Sequence, residues 1–472
     1  MPVQAPPPAT PTDPAALLRT GAYLKLLVLA AIIGVPVSAA AYGFLKLVDE
    51  LQELVFTRLP DGLGFAHAPM WWPLPILAVG GLLTALAIDR LPGTGGHSPA
   101  DGFKPAGALP PIELPGVLLA AVATLGFGVV LGPEGPLILM GSGLGVLAVR
   151  LAAPGAPPSA APVIAASGSF AAISSLLGSP LLGAFLLLEA SGLAGPVVGL
   201  VLVPGLLAAG IGSLVFIGLD SLTGFGTLSL AIPGLPPFDR PTGAMFGWAI
   251  AIGLAAPLVG RGIQWLALAA RPHVDARRLL LMPVVGLAIA ALAIGWAEAT
   301  GRPVSQVLFS GQSALGPLLS DGVGWSVATL LLLVLCKGIA YALSLSSFRG
   351  GPVFPAMFLG AAGGVAASHL PGLSVVPAVA MGIGAMCTVM LTLPLTSTLL
   401  ATLLLGSDGV SAMPLVIVAV VVAYVTAARL APAPDASPAA PPAAPPAGGA
   451  APVPPTGDTP RRTPAGPRAG GV

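Results

Sequence analysis

The sequence predicts an all-α polytopic membrane protein, and three observations lead to this class. The 472 residues are 55% hydrophobic and 8% charged, which is about a third of the charge in a typical soluble protein. The mean hydropathy is +0.95. Several apolar stretches are long enough, or nearly long enough, to cross a bilayer. Between Pro115 and Leu219 the only charged residues are Glu134, Arg150 and Glu189.

Six apolar runs are the clearest candidate spans. They are Leu26–Leu45, Trp72–Ile88, Val117–Leu131, Leu279–Trp296, Trp325–Leu343 and Pro414–Ala428. Residues 1–25 open with a Pro- and Ala-rich stretch that lacks the basic start of a signal peptide, so they predict a disordered cytoplasmic segment. Residues 431–472 are mostly Pro, Ala and Gly and predict a disordered tail. The membrane domain is therefore expected over residues 26–430.

Loop charges predict that both termini lie in the cytoplasm, because Lys and Arg concentrate in short cytoplasmic loops. One loop carries the densest internal cluster, which comprises Arg261, Arg271, Arg277 and Arg278. Arg429 follows the last apolar run. The absence of an organelle-targeting segment favours a bacterial inner membrane. The net charge of +1 gives no indication of nucleic-acid binding.

Glycine and proline interrupt the apolar runs at many places, and the chain contains 63 Gly and 54 Pro. The main breaks are Pro115, Gly132–Pro136, Gly178–Pro180, Gly350–Pro355 and Pro394. Irregular backbone at membrane depth is tolerated only against protein or a water-filled path. The breaks therefore predict short helices that end inside the membrane, as in transporters and channels.

The chain also repeats itself. In the first half "GPEGPLILMGSGLGVLA" is followed by "ASGSFAAISSLLGSPLLGAFLLLE", and in the second half "GGPVFPAMFLGAAGGVAA" is followed by "MGIGAMCTVMLTLPLTSTLLATLLL". Each half has a Gly-Pro break, a Gly-rich helix, a small-residue helix, a proline and a Leu-rich helix. Two repeat halves, roughly 72–220 and 240–430, predict a site at their interface near the membrane midplane.

Glu134 stands alone in the apolar run "VVLGPEGPLILMGSG". A carboxylate at the bilayer centre costs roughly 2.5–3.5 kcal/mol on insertion scales, so it needs compensation. Pro136 is a good first helical residue, and Gly132 and Gly135 permit a sharp turn. A helix that starts here aims N–H donors at the site and favours an anion. Glu134 would fill that site when ionised and leave it when protonated, unless it is an exposed loop residue before a helix.

These segments resemble the CLC family of chloride channels and chloride/proton antiporters. "GPEGP" resembles the family's GREGP motif and "GGPVFP" its GGIFAP-type motif, and the helices that follow come in the family's order, from about Leu26 to Arg429. The resemblance implies a homodimer with one anion pathway per subunit, built from two inverted halves of short, tilted and broken helices. It places Glu134 at the external gate and Gly351, Val353 and Phe354 in the segment whose amides face the anion.

The loop "GGHSP", Gly95 to Pro99, corresponds to the family's GSGIP segment. Aligned on the proline, the position of the anion-coordinating serine is Gly96. Ser98 or His97 are the candidate substitutes, and His97 is also a candidate pH sensor at the pathway mouth. Together with Gly132 and Gly135 from the first motif, Gly96 and Ser98 are expected to bind the anion.

Two further positions depart from the family pattern. The internal proton-transfer position falls on Ala190, and the neighbouring Glu189 is either a candidate proton relay or a structural carboxylate at a helix end. The family's inner-gate tyrosine has no counterpart after the last run, since Tyr424 lies within that run. Lys337, in another apolar run, is expected to pair with a carboxylate or carbonyls, to snorkel, or to attract anions.

The expected function is transmembrane conduction of chloride, or a similar monovalent anion, gated by Glu134. The departures favour a channel or altered proton coupling. The alternatives are a chloride/proton antiporter with another internal relay, an intramembrane enzyme with Glu134 as general acid/base, and a proton-coupled solute transporter. No cofactor and no metal are expected, and Cys336 and Cys387 predict buried thiols. The expected partners are the anion, protons, the lipid bilayer and a second copy of the chain.

Overall fold

The computed structural model describes residues 18–104, 107–152, 154–155, 160–195, 197–224, 237–238 and 240–431. Most of the predicted N-terminal segment and nearly all of the predicted tail lie outside these ranges. The α-helices of ten or more residues, in chain order, are α1 Gly21–Glu53, α2 Pro73–Arg90, α3 Leu114–Leu125, α4 Glu134–Ala152, α5 Ala160–Leu177, α6 Pro180–Ser191, α7 Val197–Thr223, α8 Gly243–Ala276, α9 Arg278–Thr300, α10 Gln312–Asp321, α11 Val327–Ser347, α12 Val353–Ala367, α13 Val375–Leu391, α14 Pro394–Leu404 and α15 Gly409–Leu430.

Within the described ranges, nine helices are long and apolar enough to cross a membrane, which confirms the polytopic class. They are α1 with its continuation to Gly62, α2, α4, α5, α7, α8, α9, α11 and α15. Among the shorter apolar helices are α6, α12, α13 and α14. The chain thus combines long helices with short ones, as the frequent Gly and Pro breaks predict.

Two predicted boundaries differ from the structure. The candidate span Val117–Leu131 is wrong, because α3 ends at Leu125 and Gly128 takes a φ of +89° that turns the chain out of the helix. Residues 129–131 continue as buried irregular backbone. The helix α1 begins at Gly21, before the predicted domain start at residue 26, because the Thr20 hydroxyl accepts a hydrogen bond from the Tyr23 amide.

The two halves match in element order, which confirms the predicted repeat. The pairs α4–α5 and α12–α13 pack together, and in each half a helix starting at a proline follows, α6 at Pro180 and α14 at Pro394. The outer pairs correspond too, since α1 packs against α7 and α8 against α15. The order of helices is therefore the same from each Gly-Pro break onward.

Glycines bring the central helices together at backbone distance. On α4 and α5, a Cβ at Gly141 would collide with the Gly168 carbonyl, and one at Gly168 with the Gly141 carbonyl. On α12 and α13, Gly360 and Gly382 have the same reciprocal relationship. Gly141 and Gly360 are each seven residues past the start of their helix. Small residues at helix interfaces are a common way for membrane helices to pack closely.

Candidate functional site at the paired helix starts

The two Gly-Pro breaks meet in space. The amide of Gly132 donates to the Gly351 carbonyl at 2.8 Å, and the amide of Gly351 donates to the Gly132 carbonyl at 2.6 Å. This isolated antiparallel pair joins the turn before α4 to the turn before α12. Two antiparallel turns brought together in this way are what inverted repeat halves predict. The N-termini of two buried helices therefore lie side by side at the interface of the halves.

In each turn, a backbone amide donates a hydrogen bond to a hydroxyl group of the opposite half. The Val130 amide, four residues before Glu134, donates to the Ser344 hydroxyl of α11 at 3.2 Å. The Arg349 amide, four residues before Val353, donates to the Thr124 hydroxyl of α3 at 3.3 Å. These two bonds occupy matching places in the repeat. They satisfy backbone groups that no helix can satisfy in this irregular, buried region.

Glu134 is the first residue of α4 and is fully buried. Its Oε1 accepts a hydrogen bond from the Phe354 amide at 2.9 Å, and the amides of Val353 and of Glu134 itself also face the carboxylate. Among the described residues, Oε2 has no hydrogen-bond partner. The carboxylate thus lies at the N-terminus of α12, where N–H groups and the helix dipole favour negative charge. The alternative of an exposed loop glutamate is wrong.

Glycines make room for this carboxylate. A Cβ at Gly351 would overlap Oε2, and a Cβ at Gly132 would overlap both carboxylate oxygens. The same two glycines form the hydrogen-bonded pair between the halves. The turns can therefore pair and hold Glu134 between them only because neither residue carries a side chain.

A small cavity of about 50 Å³ adjoins the start of α4. Its lining includes Ser98 and His97 from the "GGHSP" loop, Gly135 from α4, and Arg349 and Pro352 from the second turn. Ser98 is only 9% exposed, and its hydroxyl has no hydrogen-bond partner among the described residues. His97 is exposed at the edge of the cavity. The cavity offers space and unused donors to a small polar ligand.

The predicted anion-binding residues fall into two groups, with one residue in neither. Gly132, Gly351, Val353 and Phe354 surround the Glu134 carboxylate, and Ser98 and Gly135 line the cavity. Gly96 belongs to neither group, because its amide donates to the Gly93 carbonyl and its Cα faces Leu139 of α4. The direct role of each residue toward an anion stays a prediction.

Glu189 lies at the C-terminal end of α6, half-buried against the start of α14. Its Oε1 accepts from the Leu395 amide at 2.8 Å. Its Oε2 accepts from the Thr396 amide at 2.7 Å and from the Thr396 hydroxyl at 2.6 Å. The carboxylate therefore caps α14, which favours the structural interpretation. Its role as a proton relay stays a prediction.

Lys337 is fully buried in α11. Its ammonium group donates to the carbonyls of Gln306, Val307, Leu308 and Phe309 at 3.0–3.3 Å. It also lies 4.6 Å from the centre of the Phe358 ring. The carbonyl pairing is thus the expectation that the structure supports, whereas snorkelling is wrong. The loop at residues 306–309, whose carbonyls bind Lys337, also contacts the chain that leads into α4, because the Phe309 amide donates to the Gly128 carbonyl at 3.0 Å.

Sequence reasoning missed Arg349, which directly precedes "GGPVFP". The residue is 8% exposed and lines the cavity beside Ser98. A charge placed immediately before a glycine-rich break in an apolar run was the available signal. Of three other residues considered from the sequence, Tyr424 is 44% exposed and Cys336 is partly buried, whereas Cys387 is buried near enough to Glu134 to interact with it electrostatically. Both cysteines are free thiols.

A multi-pass helical protein whose broken helices direct their N-termini at one buried carboxylate has the architecture of a membrane channel or transporter. Residues 101–428 match the family described as "Voltage gated chloride channel". The ion-transport protein YfeO of Salmonella newport (strain SL254) is 31% identical over 74% of this chain and 81% of its own length. YfeO of Salmonella schwarzengrund (strain CVM19633) matches with the same values. The chain belongs to the voltage-gated chloride channel (CLC) family, and anion transport is the function that the family indicates.

Solved structures show the same fold. A slow cyanobacterial Cl⁻/H⁺ antiporter aligns with a TM-score of 0.69 at 20% identity, over 86% of this chain and 94% of the antiporter. A CLC-type fluoride/proton antiporter aligns with a TM-score of 0.62 at 20% identity, over 85% and 95%. A eukaryotic CLC transporter aligns with a TM-score of 0.64 at 18% identity, over 87% and 72%. At these identities the likeness concerns the fold alone.

Proposed function

We propose that this protein conducts chloride, or a similar monovalent anion, and that the Glu134 carboxylate is its gate. One observation carries the proposal. The carboxylate lies at the N-terminus of α12 and accepts a hydrogen bond from the Phe354 amide at 2.9 Å. The free amide groups at the start of α12 are the hydrogen-bond donors that a passing anion would need. An ionised Glu134 therefore competes with the anion for one place.

Protonation opens the gate in this proposal. A neutral carboxyl loses most of its attraction to the helix N-terminus and can leave it. The amides of Val353 and Phe354 then donate hydrogen bonds to an anion, which reaches them past the cavity lined by Ser98 and Gly135. Oε2 has no partner to hold it among the described residues, so the released side chain breaks few bonds. Anion flux should rise as pH falls.

Proton coupling is weakened or altered in this chain. The position at which the family's antiporters carry the internal proton-transfer glutamate is Ala190 here, by resemblance. The neighbouring Glu189 already accepts three hydrogen bonds at the start of α14. Carrying a proton would cost Glu189 those contacts, because a protonated carboxyl accepts them less strongly. The second candidate is an antiporter that nevertheless uses Glu189.

The other hypotheses have less support. An intramembrane enzyme would need a second catalytic group that contacts Glu134, whereas the described hydrogen bonds of its carboxylate come from backbone amides. The nearby Tyr341 hydroxyl donates to the Pro352 carbonyl instead. A transporter of larger organic solutes would need a larger polar pocket than the 50 Å³ cavity beside α4. A channel and transporter family also favours transport over catalysis.

We further propose, from the resemblance, a homodimer in a bacterial inner membrane with cytoplasmic termini. Exposed leucines on α6 and α14 offer an apolar surface for lipid or a second copy, namely Leu181, Leu395 and Leu403. Chemical crosslinking in native membranes should trap a dimer. Recovery of monomer alone would contradict the dimer without affecting the anion proposal.

The test of the gate is chloride efflux from liposomes with internal pH recorded at the same time. Wild-type efflux should accelerate as pH falls, whereas Glu134→Gln should be fast and pH-independent, because glutamine carries no charge. The matched control is Glu298→Gln, which changes an exposed glutamate on α9 and should behave as the wild type. An unchanged pH profile in Glu134→Gln, or no anion movement in the wild type, would refute the proposal.

Proton movement in the same assay separates the two modes. Chloride efflux without proton flux identifies a channel. Proton uptake tied to chloride, and lost in Glu134→Gln, identifies an antiporter with a relay other than residue 190.

A further inference from the structure

Tyr341 of α11 is fully buried, and its hydroxyl reaches the turn before α12. The hydroxyl donates to the Pro352 carbonyl at 2.8 Å. Pro352 directly precedes α12, whose first amides face the Glu134 carboxylate. A buried tyrosine hydroxyl usually finds a hydrogen-bond partner, and here that partner belongs to the turn where the gate is proposed. The contact therefore places Tyr341 directly behind the amide donors of the gate.

The Pro352 carbonyl and the Val353 amide belong to one peptide unit. A trans peptide is planar, so its C=O and its N–H point in opposite directions. Tyr341 holds the carbonyl end of this unit, and the N–H end faces the Glu134 carboxylate. The peptide cannot turn its N–H away from the carboxylate without breaking the bond to Tyr341. The tyrosine thus fixes the direction of one of the donors at the start of α12.

Tyr341 is also the closer of two hydrogen-bond donors to this carbonyl. The carbonyl of the residue before a helix normally accepts the first bond of that helix. Here the Ala356 amide is 3.4 Å from the Pro352 oxygen, whereas the Tyr341 hydroxyl is 2.8 Å from it. A hydrogen bond to the oxygen polarises the peptide and makes its N–H a stronger donor. Tyr341 therefore both orients and strengthens the Val353 amide.

The two repeat halves differ at this position. On α11, Tyr341 lies three residues before Ser344, whose hydroxyl accepts from the Val130 amide, so both side chains share one face of the helix. On α3, the hydroxyl that binds the other turn belongs to Thr124. Three residues before it stands Ala121, which has no hydroxyl. The tyrosine thus accompanies the half whose amides hold the carboxylate.

We propose that Tyr341 is a positioning residue of the anion pathway, which directs the Val353 amide at whichever group occupies the start of α12, the Glu134 carboxylate or an anion. The titratable groups that interact with Tyr341 are Glu134 of α4 and Cys387 of α13, and these two also interact with each other. The described hydrogen bond of the Tyr341 hydroxyl goes to the Pro352 carbonyl and to neither of them. The inference rests on the proposed gate and adds a residue that sets how strongly the gate is held.

Tyr341→Phe removes the hydroxyl alone, and chloride efflux from liposomes measures the effect. The ionised carboxylate would be held less strongly, so a lower proton concentration would release it. The pH of half-maximal efflux should rise by about 0.5 unit, which is about a threefold change and within the range for one hydrogen bond. The matched control is Tyr42→Phe, which removes another buried hydroxyl, bonded to Thr223, and should keep the wild-type pH profile.

Chloride binding separates this inference from the transport proposal. In detergent-solubilised Glu134→Gln protein, calorimetric titration with sodium chloride should show an affinity about threefold lower when Tyr341→Phe is added. Adding Tyr42→Phe should leave the affinity unchanged. If this difference appears but the wild type moves no chloride, the role of Tyr341 stands and the transport proposal fails. If the wild type conducts and Tyr341→Phe matches Tyr42→Phe in pH profile and affinity, Tyr341 only packs and the inference is wrong. If Glu134→Gln neither moves nor binds chloride, both are wrong.

A difluorotyrosine in place of Tyr341 tests the opposite direction and decides the matter if Tyr341→Phe does not fold. Ring fluorines withdraw electrons and make the hydroxyl a stronger donor, so the Val353 amide should hold the ionised carboxylate more strongly. The pH of half-maximal efflux should therefore fall below the wild-type value. An unchanged or higher value would contradict the inference.

Discussion

Gly132 and Gly351 donate their amide hydrogens to each other's carbonyls, and the Glu134 carboxylate lies against both residues. This pair sets the register of the repeat, because Pro133 then matches Pro352 and Glu134 matches Val353. One half therefore supplies the charge and the other half supplies the amides that hold it. The two paired turns therefore carry different chemistry at the position where the gate is proposed.

Gly351→Ala should displace the Glu134 carboxylate without removing it. The new Cβ would overlap Oε2, so the side chain must leave the start of α12 or the turn must shift. We expect faster chloride efflux at neutral pH and a weaker pH dependence than in the wild type, measured in liposomes. The matched control is Gly363→Ala on the same helix, where a Cβ would meet nothing within 4 Å.

The two alanine variants must differ for the prediction to hold. Equal efflux from Gly351→Ala and Gly363→Ala, with both proteins folded by size-exclusion chromatography, would show that the carboxylate is not held as the contacts imply. If Gly351→Ala does not fold, Glu134→Ala replaces it as the test. This variant removes the carboxylate from the start of α12 without a clash and should also give fast efflux.

Lys337→Met should destabilise the protein. The change leaves four carbonyl groups of the loop at residues 306–309 without their buried donor, at a cost of roughly 1–3 kcal/mol for an unsatisfied buried group. Thermal unfolding in detergent should show a lower midpoint than in Lys25→Met, which changes an exposed lysine on α1. An unchanged midpoint together with slower efflux would instead favour a direct role of Lys337 in attracting anions.

The sequence was informative about the site where chemistry and chain breaks coincide. The motifs "GPEGP" and "GGPVFP" each join a glycine, which allows a turn, to a proline, which starts a helix, so both turns could be predicted. Glu134 was identifiable because an isolated carboxylate in an apolar run needs compensation. The compensating amide of Phe354, 220 residues away, became a specific expectation only through the family resemblance.

Other features depend on packing that local patterns do not encode. The apolar run through Leu131 has the composition of a span, yet the turn at Gly128 ends the regular backbone early. The partners of Lys337 are backbone carbonyls, which carry no sequence signature. Arg349 is one isolated residue next to a motif and belongs to no sequence pattern of its own. Its burial beside Ser98 arises only because two distant loops meet in the fold.

Glu189→Gln tests whether the carboxylate on α6 is a helix cap or a proton relay. The cap interpretation predicts a stability loss of roughly 0.5–2 kcal/mol, as for other N-terminal caps, because the amide side chain retains only one acceptor oxygen for α14. Thermal unfolding in detergent measures this loss, and Glu298→Gln is again the control. The cap interpretation also predicts an unchanged ratio of protons to chloride in the liposome assay. If stability stays at the control value while proton movement disappears, Glu189 is the relay and the antiporter alternative is correct, because a group that transfers protons must release the Leu395 and Thr396 amides in each cycle.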